Sequence, residues 1–153
     1  MIYQGNDEYL VTEIIIHCAA TRKKWMEHAR TSQKVAEIRR WHVEERGWRD
    51  IGYHWIIDRD GTVAQGRKEN VMGAHVAGHN RGTIGISLIG GHGASTTDAF
   101  KDNFTEAQDH ALRRLITLIK ERTAIQKVKG HNDYAAKACP GFDVKAWLEA
   151  APL

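Results

Sequence analysis

The chain has 153 residues, the length of one domain, and its 42% hydrophobic and 27% charged residues with only two prolines exclude a disordered, collagenous or low-complexity polymer. No apolar run approaches the roughly 20 residues that span a bilayer. The opening MIYQGNDEYL has neither the basic nor the apolar region of a secretory leader, so a protein made in the cytoplasm without membrane insertion is expected. The net charge of +3 comes from Lys and Arg interleaved with Asp and Glu, too small and too dispersed a surplus for a nucleic-acid surface.

Thr12 to His17 (TEIIIH) reads as a short buried strand, since three consecutive isoleucines favour extended structure and the run is too brief for a helix. From Thr31 to Arg46, Val35, Ile38, Trp41 and Val43 follow a helical stripe that Gly47 terminates. Tyr53 to Ile57, the turn Asp58-Arg59-Asp60-Gly61 and Thr62 to Gln65 make a β-hairpin. Gly73 to Arg81 is loop-like and leads into a buried strand, Thr83 to Ile89; Gly90 to Asp102 returns to loop. Thr105 with Gln108 forms a capping box, and Leu112, Leu115, Ile116 and Ile119 carry an amphipathic helix to about Thr123. Lys127 to Lys129 reads as a last short strand, and Asp143 caps a terminal helix containing Trp147 and Leu148. Strands mixed with helices in this order predict a single α/β domain, a central mixed sheet flanked by helices with functional loops at one rim.

Two cysteines cannot staple a scaffold, whereas nine histidines are a surplus of the side chain that most often binds metal and shuttles protons. In VKGHNDYAAKACPGFD, His131 precedes Cys139 by eight positions, a spacing that matches no closed structural zinc pattern by itself. His17, at a strand end, is the candidate third donor. Two imidazoles and a thiolate suit Zn²⁺, and three protein ligands leave one position for a water whose pKa falls to about 7. The residues alone leave two alternatives open: His17 as a hydrogen-bonded structural histidine, and Cys139 as an ordinary buried thiol. Cys18 alternates to the opposite face from His17 and reads as a buried structural thiol, and His54 alternates away from Tyr53.

TEIIIHCAAT, IRRWH, GYHWIIDRDGTVAQGR, GAHVAGHNRGTIGISLIGG, NFTEAQ and HNDYAAKACPGFD, in this order, resemble the blocks of the zinc-dependent N-acetylmuramoyl-L-alanine amidases of the phage T-seven lysozyme group, over most of positions 12–148. The likeness extends more distantly to peptidoglycan recognition proteins and to muropeptide-recycling amidases. It implies one amidase domain over residues 1–153 with no separate wall-binding domain. It implies one zinc held by His17, His131 and Cys139, with Tyr53 and Lys137 as catalytic residues that do not bind the metal, and His75 in the cleft contacting substrate. The implied reaction is hydrolysis of the amide between N-acetylmuramic acid and L-alanine of peptidoglycan, in a monomeric endolysin that reaches the wall through a membrane permeabilised by another protein. That chemistry is consistent physically, because attack on an unactivated amide needs an activated water and a cation to hold charge on the tetrahedral intermediate.

The resemblance leaves two rivals: a cytosolic amidase that recycles soluble wall fragments, and a binding module that does not cleave. Two segments depart from the family pattern. RKKWMEHAR after Thr21 is longer and is expected to add a helical turn, carrying Trp25 and Met26, at the cleft edge. The N-terminus lacks the basic arm of that group's lysozyme, so the phage RNA polymerase partner of that protein is not expected from this sequence.

Overall fold

The computed structural model describes residues 1–153, and its first turn of structure is a hairpin of β1 (Tyr3–Gln4) and β2 (Tyr9–Leu10), too short to leave a periodic signal in the sequence. The rest of the chain is organised by β3 (Glu13–Cys18), which lies between two parallel neighbours. After β3 come α1 (Thr31–Arg40), β4 (Trp55–Ile57), β5 (Val63–Gln65), β6 (Thr83–Leu88), α2 (Phe100–Asn103), α3 (Glu106–Arg122), β7 (Lys127–Gly130) and α4 (Val144–Ala150). The sheet order is β5-β4-β6-β3-β7, all parallel except the β4–β5 hairpin, so the expected mixed α/β sheet is observed.

Side chains alternate across a strand, and here the alternation divides the sheet into two different surfaces. Ile14, Ile16 and Cys18 of β3 with Ile84, Ile86 and Leu88 of β6 face Leu112, Leu115, Ile116 and Ile119 of α3 and the aromatic group Phe100, Phe104, Phe142 and Trp147. Their burial supplies the principal core, at about 25 cal/mol for each Å² of apolar surface removed from water. The opposite face carries a smaller cluster in which Ile38 of α1 packs with Ile51, Ile56 and Ile89, and it leaves the end of β3 to polar groups.

The helix ends follow local chemistry. Thr105 Oγ1 accepts from Gln108 N at 3.1 Å while Gln108 Oε1 accepts from Thr105 N at 3.1 Å, the reciprocal box the sequence announces. The Gln108 amide then donates to Ile57 O and Ile89 O, so the cap also fastens α3 to β4 and to the end of β6. The expected helix from Thr31 continues past Arg40 as a π-helical turn, Trp41–Glu45. Two expectations are corrected. The stretch to Asp102 contains the short helix α2, started by Asp102 Oδ2 accepting from Ala99 N at 2.8 Å. RKKWMEHAR forms successive tight turns, Trp25 N to Arg22 O, Glu27 N to Lys24 O and Ala29 N to Met26 O, and Met26 at φ 49° prevents a helix. Its Trp25 packs on Trp41 with ring centroids 5.4 Å apart, closing the smaller cluster at one side.

One ion pair is fully internal. Lys34 Nζ of α1 lies 2.8 Å from Asp58 Oδ1, with side chains only 5% and 4% exposed, and the second carboxylate oxygen accepts from Thr31 Oγ1 at 2.6 Å. It pins the start of α1 to the β4–β5 turn. Removing one partner of such a pair strands a buried charge, so Lys34→Met is expected to lower the unfolding free energy by about 3–5 kcal/mol, measured by urea denaturation. A double variant, Lys34→Met with Asp58→Leu, recovers part of that loss.

Candidate metal centre

The parallel register brings the candidate donors to one rim of the sheet. His17 lies level with Ser87 on β6, and Ile16 pairs with Gly130, so His131, the residue after β7, emerges beside His17. His131 opens a single 3₁₀ turn, His131–Asp133, capped by Asp133 Oδ2 accepting from Gly130 N at 2.8 Å. The following loop is held at both sides: Tyr134 donates its hydroxyl to Glu13 of β3, and Asn132 Nδ2 donates to Phe142 O at 3.1 Å. Cys139 is thereby returned to the end of β3.

The donor atoms of His17, His131 and Cys139 all lie within 4.8 Å of one another, and His17 Nδ1 is 3.9 Å from Cys139 Sγ. Ligands on a tetrahedral zinc with ordinary Zn–N and Zn–S bonds are separated by roughly 3.6 Å, so closing the cluster on an ion needs only small shifts. The backbone N–H of Cys18 donates to Cys139 Sγ at 3.2 Å, a contact that favours the thiolate a metal requires. Cys18 itself is buried in the principal core, and both cysteines are free.

Electrostatics keep the imidazoles neutral. Burial first, then the neighbouring His75, His131 and Lys137, hold His17 well below the ordinary histidine value. Burial and Lys137 lower His131 in the same direction. Neutral imidazole is the form that binds metal. The contact with Cys18 and burial push the Cys139 thiol up, while the Cys18 amide and Lys137 pull it down; a cation held by the three donors would favour the thiolate.

Tyr53 comes from the segment before β4, and its ring centroid is 5.3 Å from that of His17. Its hydroxyl is pushed far above the usual phenol value by burial, so it stays protonated at neutral pH. Lys137 is exposed at the mouth of an open cleft of about 530 Å³ shared with Ala94, Ser95, Thr96, Asn132, Ala135, Ala136 and Ala138. His75 lies behind His17 and away from the cleft: it is 8% exposed, its Nδ1 is 2.9 Å from His17 Nε2, and its Nε2 is 3.1 Å from Thr83 Oγ1. Neither ring nitrogen is left for the substrate contact expected of it.

Four further polar residues share this face, of which Thr83 and Ser87 escaped the sequence reading. Thr83 carries His75. Ser87 is fully buried level with His17, and its hydroxyl has no hydrogen-bond partner. His54 spans Gly85 N and Val71 O at 3.0 and 2.8 Å, and His42 Nδ1 accepts from Gly52 N at 2.9 Å. Only register, which needs the pairing of distant strands, reveals that these residues share a surface.

A mixed α/β sheet with a three-donor cluster at one rim, beside an exposed lysine and a buried phenol, matches what a metal-assisted hydrolase requires. The chain belongs to the N-acetylmuramoyl-L-alanine amidase family, whose sequence model matches residues 7–142. It is 44% identical over 142 residues to the endolysin of Klebsiella phage KP32, covering 93% of this chain and 88% of that protein. It is 42% identical over 140 residues to the endolysin of Escherichia phage T7, covering 92% and 87%. Among solved structures, the N-acetylmuramoyl-L-alanine amidase LysC from Clostridium intestinale URNW superposes with a TM-score of 0.70 at 26% identity, covering 98% of this chain and 96% of that one. The protein is therefore an N-acetylmuramoyl-L-alanine amidase.

His42 yields a pH dependence of stability. Burial, reinforced by Arg46 and Arg67, lowers its folded pKa to about 4, against about 6.5 in an unfolded chain. The unfolded state therefore binds the extra proton first: the contribution is complete above about pH 6.5 and is lost as the pH falls toward 4, by up to about 1.4 kcal/mol per pH unit. In His42→Asn the side-chain oxygen can still accept from Gly52 N but does not titrate. Urea unfolding between pH 7 and 5 is expected to show a shallower decline for this variant than for the parent chain.

Proposed function

We propose that this chain is a phage endolysin that uses one zinc ion, held by His17, His131 and Cys139, to cut the amide between N-acetylmuramic acid and L-alanine in host peptidoglycan. The observation that carries the reading is the two-imidazole, one-sulfur cluster within the electrostatic reach of Lys137, in a chain so similar to phage endolysins. Zinc, when bound, would supply a Lewis acid and an acidified water at the open position.

The chain's own residues supply the remainder. Lys137, exposed and free to enter the cleft, brings an ammonium to the carbonyl oxygen on which negative charge develops. Tyr53, kept protonated by burial, serves as a hydrogen-bond and proton donor toward the leaving amine and orients the attacking water; it does not act as a base. The loop 132–138, with Ala94, Ser95 and Thr96 opposite, offers small side chains along the cleft, leaving width for a branched glycopeptide. No helix is long and apolar enough to cross a membrane, and we read access to the wall as dependent on permeabilisation of the membrane by another protein.

Elemental analysis of protein purified without added metal is expected to find close to one zinc per chain, with activity lost on chelation and restored by zinc. Cys139→Ser loses both zinc and activity, whereas Cys18→Ser keeps both and costs about 1–3 kcal/mol for a polar group placed in the core. Full activity in metal-free protein would overturn the zinc assignment.

Digestion of purified sacculi is expected to release L-alanine amino termini in proportion to the fall in turbidity, with no rise in reducing sugar ends. Amino termini released only from soluble muropeptides would indicate a recycling enzyme. Lys137→Ala and Tyr53→Phe are expected to keep zinc and fold while turnover falls about 10²–10³-fold, the usual cost of removing one preorganised charge or donor.

A further inference from the structure

The ring of His75 sits in a slot that only glycine permits. A Cβ on Gly85 would lie 2.6 Å from the His75 ring, and one on Gly73 would lie 2.7 Å from it and 2.8 Å from His54. The backbone N–H groups of His75 and Val76 both donate to Asn80 Oδ1, at 2.8 and 2.9 Å, fixing the loop that delivers the ring. Such a clamp on a buried imidazole implies a demand on its orientation.

The hydrogen positions follow from the partners. Thr83 Oγ1 faces three groups: His79 O and Asn80 O, each at 3.0 Å, and His75 Nε2 at 3.1 Å. Carbonyl oxygens only accept, so the single hydroxyl hydrogen points to them, and the oxygen accepts from His75 Nε2–H. A neutral imidazole carries one N–H, which leaves His75 Nδ1 as an acceptor, 2.9 Å from His17 Nε2. His17 must then carry its hydrogen on Nε2 and present the bare lone pair of Nδ1 toward Cys139 Sγ, 3.9 Å away.

We infer that Thr83 and His75 are positioning residues, a two-step hydrogen-bond relay that sets the tautomer and ring orientation of His17 so that Nδ1 is its metal-binding atom. The inference rests on the proposed role of His17 as a ligand, and it replaces substrate contact with ligand orientation as the task of His75. Partners of this kind behind a metal-binding histidine commonly account for 10–100-fold in affinity.

Two measurements test it. In metal-free protein at neutral pH, long-range ¹⁵N–¹H spectra of the imidazoles are expected to show the Nε2–H tautomer for both His17 and His75; an Nδ1–H tautomer at His17 overturns the relay. Zinc affinity, measured by competition with a chromophoric chelator, is expected to fall 10–100-fold in Thr83→Val and to stay within about threefold of the parent in Thr83→Ser, which keeps the hydroxyl. Co²⁺-substituted Thr83→Val is expected to show a shifted thiolate charge-transfer band. His75→Leu should match Thr83→Val if it folds, and the Thr83 pair decides the matter if it does not. Equal zinc affinity in Thr83→Val and Thr83→Ser overturns the relay alone. Failure of the parent chain to take up zinc overturns the ligand assignment, and this inference with it.

Discussion

Everything in this protein depends on the parity of one strand. In β3, Ile14, Ile16 and Cys18 point into the principal core while Ile15 and His17 point to the other face, and β6 repeats the division with Ile84, Ile86 and Leu88 against Gly85 and Ser87. Slipping the register by one residue would put an imidazole among α3's leucines and an isoleucine among the donors. The apolar face therefore specifies the polar one: hydrophobic burial, which knows nothing of metal, fixes where His17 emerges. Because β7 flanks β3, the loop that carries Lys137 and Cys139 returns to that point, while the His75 ring spans from Thr83 at the start of β6 to His17.

The polar face is unusual in being built of histidines with few charges. His17, His42, His54 and His75 are all buried, and each is held below its ordinary pKa chiefly by burial. His54 and His75 have both ring nitrogens hydrogen-bonded, and His42 Nδ1 accepts from Gly52 N. A set of neutral, oriented dipoles can receive a divalent ion without first expelling a resident charge, and the resulting site keeps its net charge positive before metal enters only through Lys137 at the rim. The Ser87 hydroxyl is the exception, a buried polar group without a partner, and it lies level with His17 on the side of the site. Such groups cost free energy wherever function does not use them.

How far the sequence could be read follows from the range of the interactions involved. Local signals carried the long helix, with its Thr105–Gln108 box, the Asp58–Gly61 hairpin turn and the isoleucine strand, because each is decided within a few residues. The residues alone nominate His17, His131 and Cys139 without deciding among the alternatives, since their spacing matches no closed pattern, and the order of the motif blocks supplies the rest. What escaped had weak or distant causes. Two-residue strands carry no period, α2 begins at an alanine without a capping side chain, and Met26 breaks a helix by a backbone angle that its side chain does not advertise. The resemblance implies a cleft position for His75, whereas Gly73 and Gly85 make room for its ring against β6.

The strand order also governs when the molecule can exist. β6 lies between β3 and β4, and β3 lies between β6 and β7, so no two of the parallel strands made first are neighbours. A ribosome that has released the chain through β4 and β5 has produced two hairpins, α1 and a lone isoleucine strand whose sheet partners are still missing. The gap closes only with β6, and the three donors assemble only after Cys139 has been added. Topologies dominated by such distant pairings fold slowly, since chain closure precedes its reward. For a peptidoglycan amidase this delay means that no fragment ending before Cys139 carries the complete donor cluster.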